Sequence, residues 1–269
     1  MSEILREVVY ATVEGYRPLA LDLYLPPALP PRAVCLYLHG GGWRIGSRRA
    51  GPGPISADSG LRFERMAARG LAVASVAYRL SGEATFPAQR DDVLAASEFL
   101  DAHREPLRLG AAPFVVWGVS AGGQLAALRA LDPQAQPPIA RAVCWYPVTD
   151  LAALPDDADA AGGAGDHSSA SREAQLLGAP ATQAPELAAQ ASPLSQVRPG
   201  APPFLLVHGD ADVDVPIQQS LRLADALRAA GGEATVETVP GQGHLFRTID
   251  PGALDALIDR CVDFLMASH

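Results

Sequence analysis

The chain has 269 residues, 48% of them hydrophobic and 19% charged, with a net charge of −9. This composition can fill a sizeable core and excludes global disorder, and the acidity excludes a fold-wide basic footprint for nucleic acid. All 21 basic residues are arginine, and lysine and asparagine do not occur, which excludes lysine Schiff bases, a P-loop lysine, Ser-Lys dyads, Cys-His-Asn triads, N-glycans and an asparagine in an oxyanion hole.

In chain order, Val8–Val13 and Leu19–Leu25 alternate in polarity and read as an antiparallel pair around Gly15. Pro26–Arg32 is a proline-rich break. Ala33–Leu38 is a continuous apolar run, the pattern of a strand buried on both faces. A glycine-rich loop, His39–Gly46, and a polar loop to Ser59 follow. Leu61–Arg69 reads as a helix stopped by Gly70, Leu71–Ala77 as a strand and Ala88–His103 as a helix. Phe114–Trp117 and Ile139–Tyr146 read as strands flanking a small-residue helix, Ala121–Leu131. Strands Phe204–Val207 and Ala234–Val239 flank a helix at Ile217–Ala230, and Pro251–Met266 closes the chain as a helix.

Strands alternating with helices of this length imply βαβ units and a mostly parallel, doubly wound α/β sheet. The expected organisation is one domain over residues 1–269. Residues 150–199 interrupt the rhythm as an insertion over an edge of the sheet, containing a mobile loop at Asp156–Gly165 and a short helix at Ser171–Leu177 ended by Gly178. Cys35, Cys144 and Cys261 are far apart and odd in number, which argues against a disulfide framework or a metal motif. Met1–Glu14 lacks the basic start and apolar run of a signal peptide, and no stretch reaches the roughly 18 apolar residues of a membrane span. The expectation is a soluble cytoplasmic protein.

Gly118-Val119-Ser120-Ala121-Gly122 fits G-x-S-x-G between an apolar strand and a helix. Glycines permit a sharp turn that exposes a serine hydroxyl, and the helix N-terminus beneath it favours developing negative charge. His39-Gly40-Gly41-Gly42-Trp43 directly follows a buried strand. Consecutive glycines let backbone N–H groups approach a substrate oxygen, and with the N–H of Ala121 they can form an oxyanion hole. Trp43 can wall a pocket or anchor its loop. A serine nucleophile needs a base, and the base needs an orienting acid. His244 lies in the Gly-rich loop between the last strand and the last helix, and is the preferred base. Among Asp210, Asp212 and Asp214, after the preceding strand, Asp212 is the preferred acid, with Asp150 as the outside candidate. Asp210 can instead pin a loop. His39 reads as a loop brace, His208 as a strand-end hydrogen bonder, and His103, His167 and His269 as solvated or terminal. Arg79 is expected to pair with Asp91 or Asp92, and Arg48 and Arg49 to lie in a solvated loop.

On HGGGW (39–43), AYRL (77–80), FPAQRDD (86–92), GVSAGG (118–123), SREAQLLG (171–178), ASPLS (191–195), HGDADVDVP (208–216) and GQGH (241–244), the chain resembles the α/β-hydrolase esterases and lipases with an HGGGW loop. These pieces are spread from the third predicted strand to the last helix, so the resemblance spans most of the chain, and it lies near the hormone-sensitive-lipase-like and bacterial carboxylesterase or acetyl-esterase groups. The elbow reads G-V-S where hormone-sensitive-lipase-like enzymes frequently carry G-D-S, and strands stand where that group has a helical cap, which favours the smaller bacterial esterases. The resemblance implies Ser120 as nucleophile, Asp212 as acid, His244 as base, and Gly41, Gly42 and Ala121 as oxyanion donors. It implies cleavage of short- to medium-chain acyl or aryl esters through an acyl-enzyme, with a small-molecule ester as partner and no metal or organic cofactor. Amide hydrolysis of the arylformamidase or peptidase kind is the alternative on the same triad. A non-catalytic receptor on this scaffold is the third reading. The loop 44–60 and the insertion are expected to shape the pocket, with Trp43 as a substrate-binding residue.

Overall fold

The computed structural model describes residues 3–54 and 60–267. Residues 55–59 of the loop 44–60, the two N-terminal residues and His269 lie outside the described residues. Eight strands form one sheet: β1 (Glu3–Ala11), β2 (Leu19–Leu25), β3 (Ala33–Leu38), β4 (Leu71–Val76), β5 (Phe114–Val119), β6 (Ile139–Trp145), β7 (Phe204–Gly209) and β8 (Ala234–Val239). Their order is β1-β2-β4-β3-β5-β6-β7-β8. β1 pairs with β2 and β2 with β4 antiparallel; from β4 to β8 every pairing is parallel. This is the mostly parallel sheet with an antiparallel N-terminal pair that the apolar runs imply.

Successive residues of a strand face opposite sides of the sheet, so runs that are apolar throughout need cover on both. Leu36 and Leu38 of β3 join the cluster that takes in Val93 of α2 (Ala88–Ala102), Leu125 of α3 (Ala121–Leu131) and Leu223 of α7 (Gln218–Ala229). Cys35 and Tyr37 of the same strand join the opposite cluster, with Phe63 of α1 (Leu61–Ala68) and Ile258 of α8 (Pro251–Met266). On that second face Trp117 and Trp145 pack with ring centroids 5.4 Å apart, and Phe246 closes on Trp145 at the same distance.

The strand order determines where a site can form. The chain leaves β3 for β4 on one side, then returns past β3 to β5 on the other. The loops after β3 and β5 therefore separate at the C-terminal edge and open a crevice, the usual ligand position in such sheets. Leu38 pairs with Gly118 across that edge, so the HGGGW loop and the serine turn leave the sheet side by side.

Several expectations need correction. β1 starts at Glu3 and ends at Ala11, not at Val8 and Val13. Its register shifts between Leu5 and Val8, where Glu7 has φ 56° and donates its N–H to Asp22 Oδ1, and this irregularity breaks the period-2 signal. Asp156–Gly165 is not simply a loop, because α4 (Leu154–Ala160) occupies its first half. Pro155 in the first turn, acidic Asp156 and Asp157 beside the helix N-terminus, and the good helix former alanine favour it. Arg222 and Gln219 of α7 hold Asp157 from outside. Residues 150–199 also carry α5 (Arg172–Leu177), the short helix expected there, capped by the Ser171 hydroxyl, then α6 (Pro185–Ala191) and a 3-10 turn at Pro193–Gln196. Arg48 is not solvated: it bridges Asp22, which is fully buried, and Glu7, whereas Arg49 is exposed. Of the two partners offered for Arg79, Asp92 is the one bonded.

Candidate active site

The turn from β5 to α3 depends on glycine at two positions. A Cβ on Gly118 would stand 1.9 Å from Gly122 O, and one on Gly122 would stand 2.1 Å from Leu38 O. No side chain fits either place. Between them Ser120 takes φ 54° and ψ −122°, a strained conformation for a non-glycine residue. It is held from both sides: Ser120 N donates to Trp145 O at 2.9 Å, and Ser120 O accepts from Gln124 N at 3.0 Å.

Ser120 Oγ lies 2.9 Å from His244 Nε2, and His244 Nδ1 lies 2.7 Å from Asp212 Oδ2. A carboxylate only accepts, so the proton of a neutral His244 belongs on Nδ1 and Nε2 is left to accept from the serine hydroxyl. Asp212 is buried, and its Oδ1 accepts from Asp214 N at 3.0 Å and Val215 N at 2.9 Å. Burial pushes the Asp212 pKa up, but His208, His244 and Val215 N–H more than offset this and hold it well below the usual carboxylate range. Asp212 is therefore ionised throughout the neutral range.

The rival residues are placed elsewhere. Asp210 Oδ1 accepts from Gly241 N at 2.6 Å and so ties the β7 loop to the loop carrying His244. Asp150 accepts from the N–H groups of Ala152 and Ala153. His208 is buried; its Nε2 donates to Val215 O at 2.7 Å and its Nδ1 accepts from the Ser220 hydroxyl at 2.7 Å. It backs the Asp212 carboxylate, with Nε2 3.6 Å from Oδ2. His103 bonds to Phe99 O, and the exposed His167 pairs with Asp159. His39 braces its loop: Nδ1 donates to Gly40 O at 2.8 Å, the ring stacks on Tyr78 at 4.4 Å, and the Tyr78 hydroxyl donates to His39 O.

The HGGGW loop lies against the serine turn. A Cβ on Gly40 would meet Val119 O at 3.0 Å and Ser120 Cβ at 3.3 Å. Gly41 and Gly42 have φ of 121° and 57°, and Gly41 O accepts from the N–H groups of Arg44 and Ile45. Ala121 is the first residue of α3, so its N–H has no intrahelical acceptor. Gly42 and Ala121 line one cavity with Ser120; Gly41 and Gly42 line a second with Ser120 and His244. Trp43 does both things the sequence left open. Buried, it donates from Nε1 to Gln124 Oε1 at 3.0 Å, and it also walls the first cavity.

The two cavities meet at Ser120. The smaller, about 300 Å³, is walled by Trp43, Val148, Leu154 and Val215; the larger, about 450 Å³, by Ile45, Val119, His244 and Leu245. Leu154, Arg172 and Glu173 of the 150–199 segment contribute walls. Sequence reasoning gave no role to Arg44, Arg172, Glu173 or Arg247, which also line these cavities; Arg172 and Glu173 stand within SREAQLLG, but only the fold brings that helix to the serine. Among the described residues, no group of three or more His, Cys, Asp or Glu is placed to hold a metal ion. Among them, too, no helix is long and apolar enough to cross a membrane.

Comparison with known proteins gives one consistent picture. The BD-FAE family model matches residues 21–227. Ethyl acetate hydrolase of Pseudomonas putida is 30% identical over 257 residues, covering 91% of this chain and 76% of that protein. Esterase LipC of Mycobacterium tuberculosis is 28% identical, covering 86% of this chain and 57% of that one, and esterase LipQ of the same organism is 33% identical over 86% and 55%. The chain thus spans little more than half the length of several curated relatives it matches. Among solved structures, a truncated carbohydrate esterase from gut microbiota superposes with a TM-score of 0.81 at 24% identity, covering 99% of this chain and 97% of that one. The butyrate-bound esterase Est2 of Thermogutta terrifontis superposes with a TM-score of 0.73 at 24% identity, over 98% and 93%. These two likenesses are of fold. The match over residues 21–227, with the 30% identity to ethyl acetate hydrolase over 91% of this chain, places the protein in the BD-FAE family, on an α/β-hydrolase fold.

Proposed function

We propose that this protein is a serine hydrolase of carboxylic esters, acting through an acyl-enzyme on short- to medium-chain acyl or aryl esters. The observation that carries the reading is the bonded chain from Ser120 Oγ through His244 to Asp212, at 2.9 and 2.7 Å, on a strained turn between two cavities. His244 Nε2 takes the hydroxyl proton as Ser120 Oγ attacks the ester carbonyl. Asp212 keeps the other imidazole proton on Nδ1 and stabilises the imidazolium that forms. The N–H groups of Gly41, Gly42 and Ala121 receive the oxyanion, aided by the N-terminus of α3. His244 then protonates the leaving alcohol, and water repeats the sequence on the acyl-enzyme. Trp43, as a wall of the smaller cavity, contacts bound substrate. Three buried free cysteines agree with a reducing, cytoplasmic setting.

Turnover of p-nitrophenyl acetate and butyrate tests the reading. Wild type is expected to hydrolyse both, and Ser120→Ala to lose at least roughly 10⁴-fold in kcat while its thermal melt shows a folded protein. Equal turnover by the two proteins contradicts a serine mechanism at this position.

A further inference from the structure

Most of the 21 arginines are engaged by protein partners, among them Arg48 with Asp22, Arg79 with Asp92 and Arg222 with Asp157. Arg44, Arg172 and Arg247 are exceptions. All three are exposed and line the larger cavity beside Ser120, and among the described residues none has a side-chain hydrogen bond, ion pair or ring contact. They come from three separate segments: the loop after β3, the start of α5 and the loop before α8. In a chain where acids outnumber bases 30 to 21, three guanidiniums without an ion-pair partner around one opening make a local cationic site, although Arg172 also feels the charges of Asp166 and Glu173 on its other side. Among the described residues, Asp214 is the one carboxylate residue lining that cavity. In the smaller cavity the balance differs, because Arg44 and Arg172 face Asp166, Glu173 and Asp214.

The proton path identifies the two sides. His244 must deliver its proton to the leaving oxygen, so the leaving group departs into the cavity that His244 walls, the larger one. Its other walls include Ile45, Val119 and Leu245, which suit an apolar body. Guanidinium groups bind carboxylates through paired N–H donors and remain charged at every working pH.

We infer that the preferred esters carry an anionic group, a carboxylate, on their alcohol or phenol half, which Arg44, Arg172 and Arg247 receive in the cavity walled by His244, while the acyl half is uncharged. This rests on the ester hydrolase reading above and narrows its substrate class.

The test uses the full chain at pH 7.5 and matched acetyl esters: 3- and 4-acetoxybenzoate, and their neutral isosteres 3- and 4-acetoxybenzamide. The readout is the ratio of kcat/KM, carboxylate over amide, so a general change in activity cancels within each protein. Wild type is expected to favour the carboxylate by about tenfold for at least one isomer, the scale of one charge-assisted hydrogen-bonded contact. Arg44→Gln, Arg172→Gln and Arg247→Gln, made singly and together, are expected to lower the ratio, to about one in the combination. A wild-type ratio at or below one for both isomers, with p-nitrophenyl acetate still hydrolysed, overturns the inference and leaves the hydrolase reading standing. So does a ratio that the substitutions do not move. Absence of all wild-type ester turnover together with absence of fluorophosphonate labelling overturns both.

Discussion

Asp210, Asp212 and Asp214 alternate along five residues, and their side chains have different surroundings. Asp212 points inward, where His208 stands behind it and the N–H groups of Asp214 and Val215 fix one oxygen, leaving the other for His244. Asp210 secures Gly241 instead. The proposed role makes a specific demand on Asp212: its negative charge must set the imidazole tautomer. Asp212→Asn is expected to lower kcat by roughly 10³–10⁴-fold with little change in KM, because an amide can donate to Nδ1 and favour the unproductive tautomer. Steady-state kinetics on p-nitrophenyl acetate checks this; a loss under tenfold contradicts the assignment. The residues proposed to do chemistry were legible because glycine marks them: G-V-S-A-G, H-G-G-G-W and G-Q-G-H are local strings with a steric reason. Arg172 and Arg247 carry no such mark, since their significance comes from where α5 and the loop before α8 converge.

At the scale of elements, the crossing from β4 to α2 is held by an ion pair. The Arg79 guanidinium and its backbone N–H both bond to the Asp92 carboxylate, whose side chain is 3% exposed, against 13% for Arg79. Removing one partner strands the other charge in a nearly dry place. Asp92→Ala is expected to destabilise the fold by about 3–5 kcal/mol, with Arg79→Met partly relieving the loss in the double variant. Urea unfolding of the four proteins measures this; additive losses contradict the coupling. Fully buried strands and long helices were readable because an unbroken apolar run of six residues admits few alternatives. β1 was harder, since Glu7 departs from the pleat to bond Asp22. α4 was harder still: at seven residues it is too short to stand on its own propensity, and its stability draws on Arg222 and Gln219, about 60 residues away.

For the whole molecule, acid sensitivity follows from a histidine buried in neutral form. Burial brings the His39 imidazole down to about 4, although the bond to Gly40 O opposes the shift. Unfolded, the same ring takes a proton near the ordinary value of about 6.5. Between these values the unfolded chain binds more protons, so stability falls as pH drops through this window, by up to about 3 kcal/mol if the ring is fully buried. The depressed Asp212 acts in the same direction at still lower pH, its contribution being lost as pH falls below the usual carboxylate range. Urea midpoints at pH 7, 6, 5 and 4.5 are expected to fall steadily in wild type and less steeply in His39→Gln. Parallel slopes contradict this origin. The sheet order that separates the β3 and β5 loops was not written in any single segment. It follows from how α1 and α2 pack on opposite faces, a long-range outcome that the alternation of strands and helices allowed without specifying.

The central claim is that Ser120 is an activated nucleophile, and covalent labelling tests it without any assumption about the natural substrate. Trypsin is expected to release residues 109–129 as one peptide, in which Ser120 is the only hydroxyl-bearing side chain. Wild type treated with a fluorophosphonate and analysed by intact mass and peptide mapping is predicted to gain one adduct per chain, on that peptide, with none in Ser120→Ala. Absence of an adduct on wild type, or an adduct that persists in Ser120→Ala, contradicts the account.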